Sequence, residues 1–279
     1  MTDALFTDPP SDAAPPASTP FVTFTSGGER LFGVLHVPAG PGLHPIVVFL
    51  HGFPGNERNF DIAQALRRAG YATLVFHYRG SWGVGGSWSW TNVLADAAAV
   101  TAAVRAPEFA GEHRLDPERL AIAGHSLGGF TALMTAAADP SIAAVISLAA
   151  VDFGSVASAC RTDPSARASW VESFDGSLHP LRGTSGEALA AELEATGDAW
   201  SLPALAPRLA DRPVLLIGAA RDTIAVEAEH FRPVVDAYLA HPVNHLEHHL
   251  FPTDHAFSDH RVTLTRTIAD FLTRHLGKP

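Results

Sequence analysis

One cysteine, Cys160, stands in 279 residues, so the chain can form no internal disulfide. A lone thiol with no histidine motif around it reads as a small apolar packing residue rather than a nucleophile. Cations are also scarce. Nineteen Lys and Arg face 29 Asp and Glu, for a formal net charge of -10. Phosphate recognition needs clustered Lys and Arg, so nucleic acid and anionic membrane surfaces are disfavoured as partners. No apolar run approaches the roughly 18 residues of a membrane span. The acidic, proline-rich start, MTDALFTDPPSDAAPPASTP, lacks the basic and apolar regions of a secretory signal. The expected location is the cytoplasm, and residues 1–19 are expected to form a disordered tail ahead of a domain over 20–279.

Apolar residues make up 47% of the chain and charged residues 17%, enough to bury a substantial core. Short apolar runs alternate with alanine-rich segments of helical period. Phe21 to Thr25 and Leu31 to Val37 read as a strand pair turned by Gly27-Gly28. Further strands are expected at Ile46 to Leu50, Ala72 to Phe76, Leu120 to Ala123, Ala143 to Leu148, Val214 to Ile217 and His245 to Leu250. Helices are expected at Ile62 to Ala69, Val93 to Val104, Phe130 to Ala138 and Val262 to His275. Strands without polar alternation, separated by helices, imply a mostly parallel sheet covered on both faces. Residues 152–208 break this rhythm and offer one helical pattern, around Glu187 to Ala195. They read as an insertion forming a cap over one end of the sheet.

The stretch AIAGHSLGGF, residues 121–130, poses the chemical question: an apolar strand stops at a serine flanked two residues away by glycine on each side. Ligands of open α/β sheets bind beyond the carboxyl ends of the strands. A sharp strand-to-helix turn there crowds the backbone. Glycine at 124 and 128 relieves the crowding, and Ser126 is presented to solvent beside the unpaired N–H groups of a helix start.

Four stretches then resemble the α/β-hydrolase family. They are HGFPGN (51–56), HYRGSWGVGGS (77–87), GHSLGG (124–129), and GAARDTIA (218–225) followed by PTDHAFSDHR (252–261). The resemblance runs from Phe21 to the C-terminus. It is nearest the branch of dienelactone-hydrolase-like and prolyl-oligopeptidase-like serine hydrolases and small carboxylesterases. It implies an eight-stranded, mostly parallel sheet with a helical cap, and a chain order of serine, acid, histidine. On that resemblance Ser126 is the nucleophile, Asp222 the acid and His255 the base, with the backbone N–H groups of Phe53 and Leu127 forming an oxyanion hole. His260 is an alternative base and Asp152 an alternative acid.

His125, Trp82 and Trp88 are candidate substrate contacts; the tryptophans of SWGVGGSWSW could equally pack the cap onto the core, as could Trp170, Phe174 and Trp200. Arg79 reads as structural, bonding loop carbonyls. HLEHH (245–249) looks like a metal box, but strand alternation would send its histidines to opposite faces, and a strand leading to His255 is the better reading. The glycines of GVGG lack dinucleotide-loop spacing. The expected activity is therefore hydrolysis of small-molecule carboxylic esters through an acyl-enzyme, with no metal or organic cofactor. Amide, peptide or carbon–carbon bond cleavage by the same triad is the alternative, with a non-catalytic ligand-binding scaffold behind it. A monomer and a homodimer are both open.

Overall fold

The Gly27-Gly28 pair does what the sequence asks of it. Both glycines take positive φ, 55° and 82°, closing a tight hairpin in which Ser26 sits opposite Glu29. The computed structural model describes residues 3–241, 243–277 and 279. The hairpin joins β1 (Phe21–Ser26) to β2 (Glu29–His36). The chain continues through β3 (His44–Leu50), α1 (Phe60–Arg68), β4 (Ala72–Phe76), α2 (Trp90–Ala103), α3 (Pro107–His113), β5 (Leu115–His125), α4 (Leu127–Ala138) and β6 (Ala144–Leu148). Next come α5 (Phe153–Thr162), α6 (Pro164–Asp175), α7 (Gly186–Thr196) and α8 (Ala206–Leu209). β7 (Pro213–Ala219), α9 (Arg232–Ala240), β8 (His245–Phe251) and α10 (Arg261–His275) complete the order.

The eight strands form one sheet in the order β1-β2-β4-β3-β5-β6-β7-β8. β1 and β2 run antiparallel to their neighbours and the rest are parallel. Every residue of β3, β4 and β6 is buried, because helices cover both sheet faces. Strand alternation divides the interior into two cores. Ile46, Val48 and Leu50 face Val93, Val100, Phe130 and Leu133 of α2 and α4, with the cap beyond. Val47 and Phe49 face Ile62, Leu66, Ile268 and Phe271 of α1 and α10.

The structure departs from the sequence reading in three places. α4 begins at Leu127, directly after the elbow, not near Phe130. α3 and α9 lie where no element was expected, each with proline in its first turn. Between β6 and β7 the chain forms α5, α6, α7 and the short α8 rather than a single helix. Asp152, Asp163 and Ser185 accept N-capping hydrogen bonds from the backbones of Gly154, Ser165 and Ala188. Of the N-terminal stretch, Met1 and Thr2 lie outside the described residues. The remainder touches the domain at several points. Leu5 is buried against the α1–α10 core and its carbonyl accepts from Arg68, Asp3 pairs with Arg266, and Ser18 bridges Val37. Among the described residues, no helix is long and apolar enough to cross a membrane.

Candidate active site

β5 ends at His125 and α4 starts at Leu127, which leaves Ser126 alone to make the turn. Its φ of 58° and ψ of -122° match the first central position of a type II′ turn, a conformation natural to glycine. The flanking glycines are needed for contact as well as freedom. A Cβ at Gly124 would overlap the Gly128 carbonyl, and one at Gly128 would overlap the Leu50 carbonyl of β3. Leu148 accepts the Ser126 N–H at 2.8 Å, and the Ser126 carbonyl accepts from Gly129 and Phe130. The backbone is thus fixed on both sides. The Ser126 hydroxyl makes no hydrogen bond among the described residues, and it faces a cavity of about 340 Å³ that His255 also lines.

Asp222 lies just past β7, on the loop that leaves the sheet. Its Oδ1 accepts the backbone N–H groups of Ile224 and Ala225 at 2.8 and 2.9 Å. Its Oδ2 lies 2.6 Å from His255 Nδ1, with the Asp222 side chain fully buried. Burial alone would raise this carboxyl. The His255 bond and charge and the two backbone donors outweigh it, and the group sits below the usual carboxylate range. An ionised acceptor at Nδ1 leaves Nε2 of the imidazole free to face the cavity.

The His255 loop is held from several sides. The His255 carbonyl accepts from His125 Nε2 at 2.7 Å, and the two rings lie 4.8 Å apart. Arg261 donates to the Ala256 carbonyl and pairs with Asp61. Burial, and then the neighbouring His255, push His125 down to about 3, so it stays neutral and serves as a donor to that loop. His125 does line the cavity, but its Nε2 proton is committed to the backbone.

Across from the elbow, the loop after β3 carries His51, Gly52 and Phe53. His51 Nδ1 donates to the Gly52 carbonyl at 2.8 Å, and the Tyr78 hydroxyl donates to the His51 carbonyl. A Cβ on Gly52 would come 3.0 Å from that of Ser126, so only glycine lets the two loops meet this closely. The N–H groups of Phe53 and Leu127 make no hydrogen bond to a backbone acceptor among the described residues.

The alternative residues have other partners. His260 pairs with Asp259 at 2.9 Å and lies outside the cavity lining. Asp152 accepts from Gly154 and Leu202, tying the start of α5 to the far end of the insertion. Trp82 donates to the Pro54 carbonyl and carries the Arg58 guanidinium on its ring; Trp88 is buried against Phe53, Tyr78 and Trp90. Neither lines the cavity, whereas Trp90, Trp170 and Phe174 do. Phe153 and Glu57 join them, and these two carried no signal in the sequence. Trp200 packs on Phe130. Arg79 is structural, though its main partner is the buried Asp96 carboxylate at 2.6 Å. The histidines of β8 are spread along an exposed edge strand, and no group of three His, Cys, Asp or Glu side chains among the described residues could hold a metal. Cys160 is buried, and burial pushes its thiol up.

Comparison with known proteins bears on the fold and the family. An uncharacterized protein of Mycobacterium tuberculosis is 33% identical over 140 residues, 50% of this chain and 48% of that one. The 2,6-dihydropseudooxynicotine hydrolase of Paenarthrobacter nicotinovorans is 31% identical over 114 residues, 40% of this chain and 30% of that one. The chain thus spans about half the length, or less, of these curated relatives. Among solved structures, an esterase of Pyrococcus furiosus superposes with a TM-score of 0.68 at 16% identity, over 94% of this chain and 92% of that one. Such a likeness speaks to the fold. The family described as the alpha/beta hydrolase fold matches residues 45–212, more than half of the sequence, and with the eight-stranded sheet and the serine elbow at the end of β5 this chain belongs to that family.

Proposed function

We propose that the chain is a serine hydrolase of small-molecule carboxylic esters, working through an acyl-enzyme. Ser126 Oγ attacks the ester carbonyl while His255 Nε2 takes its proton. The carbonyl oxygen becomes an oxyanion that accepts from the Phe53 and Leu127 N–H groups, reinforced by the positive end of α4. The tetrahedral intermediate collapses, His255 returns the proton to the leaving alcohol, and Ser126 is left acylated. Water, deprotonated by His255, attacks the acyl carbonyl and releases the acid. Asp222 holds the imidazole with its proton on Nδ1 and stabilises the imidazolium. No step calls for a metal or an organic cofactor.

The observation that carries this reading is the 2.6 Å bond between His255 and the buried Asp222 at the wall of the cavity that Ser126 faces. The hydroxyl itself is unbonded; catalytic hydrogen bonds of this kind often close only when substrate is present. The likeness to a relative named only as a hydrolase, not as an esterase, leaves room for a second reading, in which the same three residues cleave an amide bond. Hydrolysis of p-nitrophenyl butanoate by the purified chain and by Ser126→Ala tests the first. The variant should lose about a thousandfold or more. Equal rates refute the nucleophile, and a faster reaction on the matching anilide favours the second reading.

A further inference from the structure

The cavity wall has a chemical character that the reaction does not require. Trp90 is its hub. The ring centroid of Trp90 lies 4.8 Å from that of Phe153, 5.2 Å from Phe53 and 5.4 Å from Phe174, and Trp170 continues the surface 5.6 Å beyond Phe174. All five line the same cavity as Ser126. Aromatic faces and edges at these spacings suit a further ring in an offset or edge-on arrangement.

The wall is also rigid at its centre. The Trp90 indole N–H donates to the Leu189 carbonyl at 3.0 Å, and the Glu192 carboxylate accepts the backbone N–H groups of Trp90 and Thr91 at 3.0 and 2.7 Å. The first turn of α2 is thereby capped by a side chain from α7, and the hub ring is fixed before any ligand arrives. A preorganised wall spends none of its contact energy on ordering itself.

Charge supplies the second constraint. Among the described residues, no Lys or Arg lines the cavity, and Glu57 is its one carboxylate. The arginines near the site in sequence are engaged elsewhere. Arg58 lies over the Trp82 ring, Arg221 pairs with Asp259, and Arg261 pairs with Asp61. A substrate carboxylate buried here would lose its water and meet no cation, beside a fixed negative charge.

We infer that the substrate is an uncharged ester that carries an aromatic ring within a few atoms of the scissile carbonyl, on its acyl or its alcohol side. The ring lies against Phe53 and Trp170, the half-buried members of an aromatic wall backed by the buried Trp90 and Phe174, and Glu57 turns anionic substrates away. A volume of about 340 Å³ is at the small end of ligand pockets, enough for a phenylalkyl ester. This inference rests on the serine-hydrolase reading above.

The test is a pH-stat comparison on the full chain with methyl butanoate, methyl 3-phenylpropanoate, 2-phenylethyl acetate and monomethyl glutarate. Either phenyl ester should exceed methyl butanoate in kcat/KM by about tenfold or more, the free energy of burying a ring. Which of the two wins says whether the ring sits on the acyl or the alcohol side. Monomethyl glutarate should be the poorest substrate. Trp170→Ala should cut the phenyl-to-butanoate ratio, and Trp170→Phe should restore it. Glu57→Lys should raise kcat/KM on monomethyl glutarate by about tenfold relative to methyl butanoate, as a reversed charge nearby would. No phenyl preference in the wild type, or monomethyl glutarate turned over as well as methyl butanoate, overturns the inference. Failure of all four esters to react faster than with Ser126→Ala refutes the serine-hydrolase reading instead.

Discussion

The elbow makes a prediction that separates the backbone of Ser126 from its hydroxyl. A residue with a Cβ is held at φ 58° and ψ -122°, where glycine is at ease. Conformations of this kind cost about 1–3 kcal/mol and persist only where the surroundings enforce them. The enforcement is visible: the Ser126 N–H is tied to β6 at Leu148, its carbonyl caps the first turn of α4, and Gly52 packs against its Cβ. Ser126→Gly removes the strain along with the hydroxyl, whereas Ser126→Ala removes the hydroxyl and keeps the strain. Glycine carries its own entropy cost of about 0.5–1 kcal/mol, so a mid-range strain of about 2 kcal/mol leaves the glycine variant more stable than the alanine variant by about 1–1.5 kcal/mol. For a domain of this size each kcal/mol is worth about 2–4 °C in melting temperature. Scanning calorimetry of the two variants, both inactive on p-nitrophenyl butanoate, reads the difference directly. An alanine variant as stable as the glycine variant, or more so, would refute the claim that the turn stores strain in presenting the proposed nucleophile.

Asp222→Asn should keep the fold, because an amide oxygen can still accept from Ile224 and Ala225. The amide N–H₂ would then face Nδ1 of His255, move the ring proton to Nε2, and lower kcat by about a thousandfold to ten-thousandfold with little change in melting temperature; a mild loss would remove Asp222 from the proposed triad. A third expectation concerns acid stability. His36 is held down to about 4, and His51 and His125 to about 3, chiefly by burial. Their folded values lie below the unfolded value of 6.5, so the unfolded chain binds more protons between these limits. Their contribution is intact above pH 6.5 and is lost as pH falls toward 4, at up to about 1.4 kcal/mol per pH unit for each group. Asp222, whose carboxyl is lowered, adds stability above the ordinary carboxylate range that disappears only at still lower pH. Urea midpoints at pH 7.5, 6 and 5 should fall steadily, and a flat profile would contradict the neutral burial of these histidines.

How much of this was legible in the sequence depends on how local each signal was. β3, β4 and β6 announce themselves because burial on both faces demands unbroken apolar runs. The elbow is legible because backbone crowding between Gly124, Gly128 and Leu50 leaves glycine alone at two fixed positions. Asp222 and His255 are 33 residues apart, and their pairing was anticipated through the family resemblance, not through any feature of their own neighbourhoods. The helices of the insertion were mostly missed. α5 mixes Gly, Ser and Cys, and α6 carries five buried or half-buried positions without a sharp apolar face, so their support comes from packing on α7. The signals present there were the caps, Asp152 and Asp163-Pro164, which mark helix starts more reliably than weak periodicity does.

The tryptophan loop shows why substrate contacts are harder to read than catalytic ones. In SWGVGGSWSW the three indoles occupy equivalent-looking positions, yet each has a different task. Trp82 reaches the Pro54 carbonyl, Trp88 is sealed beneath Phe53, and Trp90 opens α2 and borders the cavity. The distinction is made by residues about a hundred positions away. The Arg182 carbonyl accepts the Trp88 backbone N–H, the Pro180 carbonyl accepts the Trp82 backbone N–H, and Leu189 with Glu192 fixes Trp90. The loop therefore joins the insertion to the sheet and forms part of the cavity wall at once. Changes in the insertion that shift Leu189 or Glu192 will move the Trp90 ring, and with it the space beside Ser126, while the bonds that hold Asp222 and His255 on the other side of the cavity are left in place. On the proposed reading, selectivity is set by long-range contacts between insertion and sheet and the chemistry by short loops at the ends of β5, β7 and β8, so the two can vary independently.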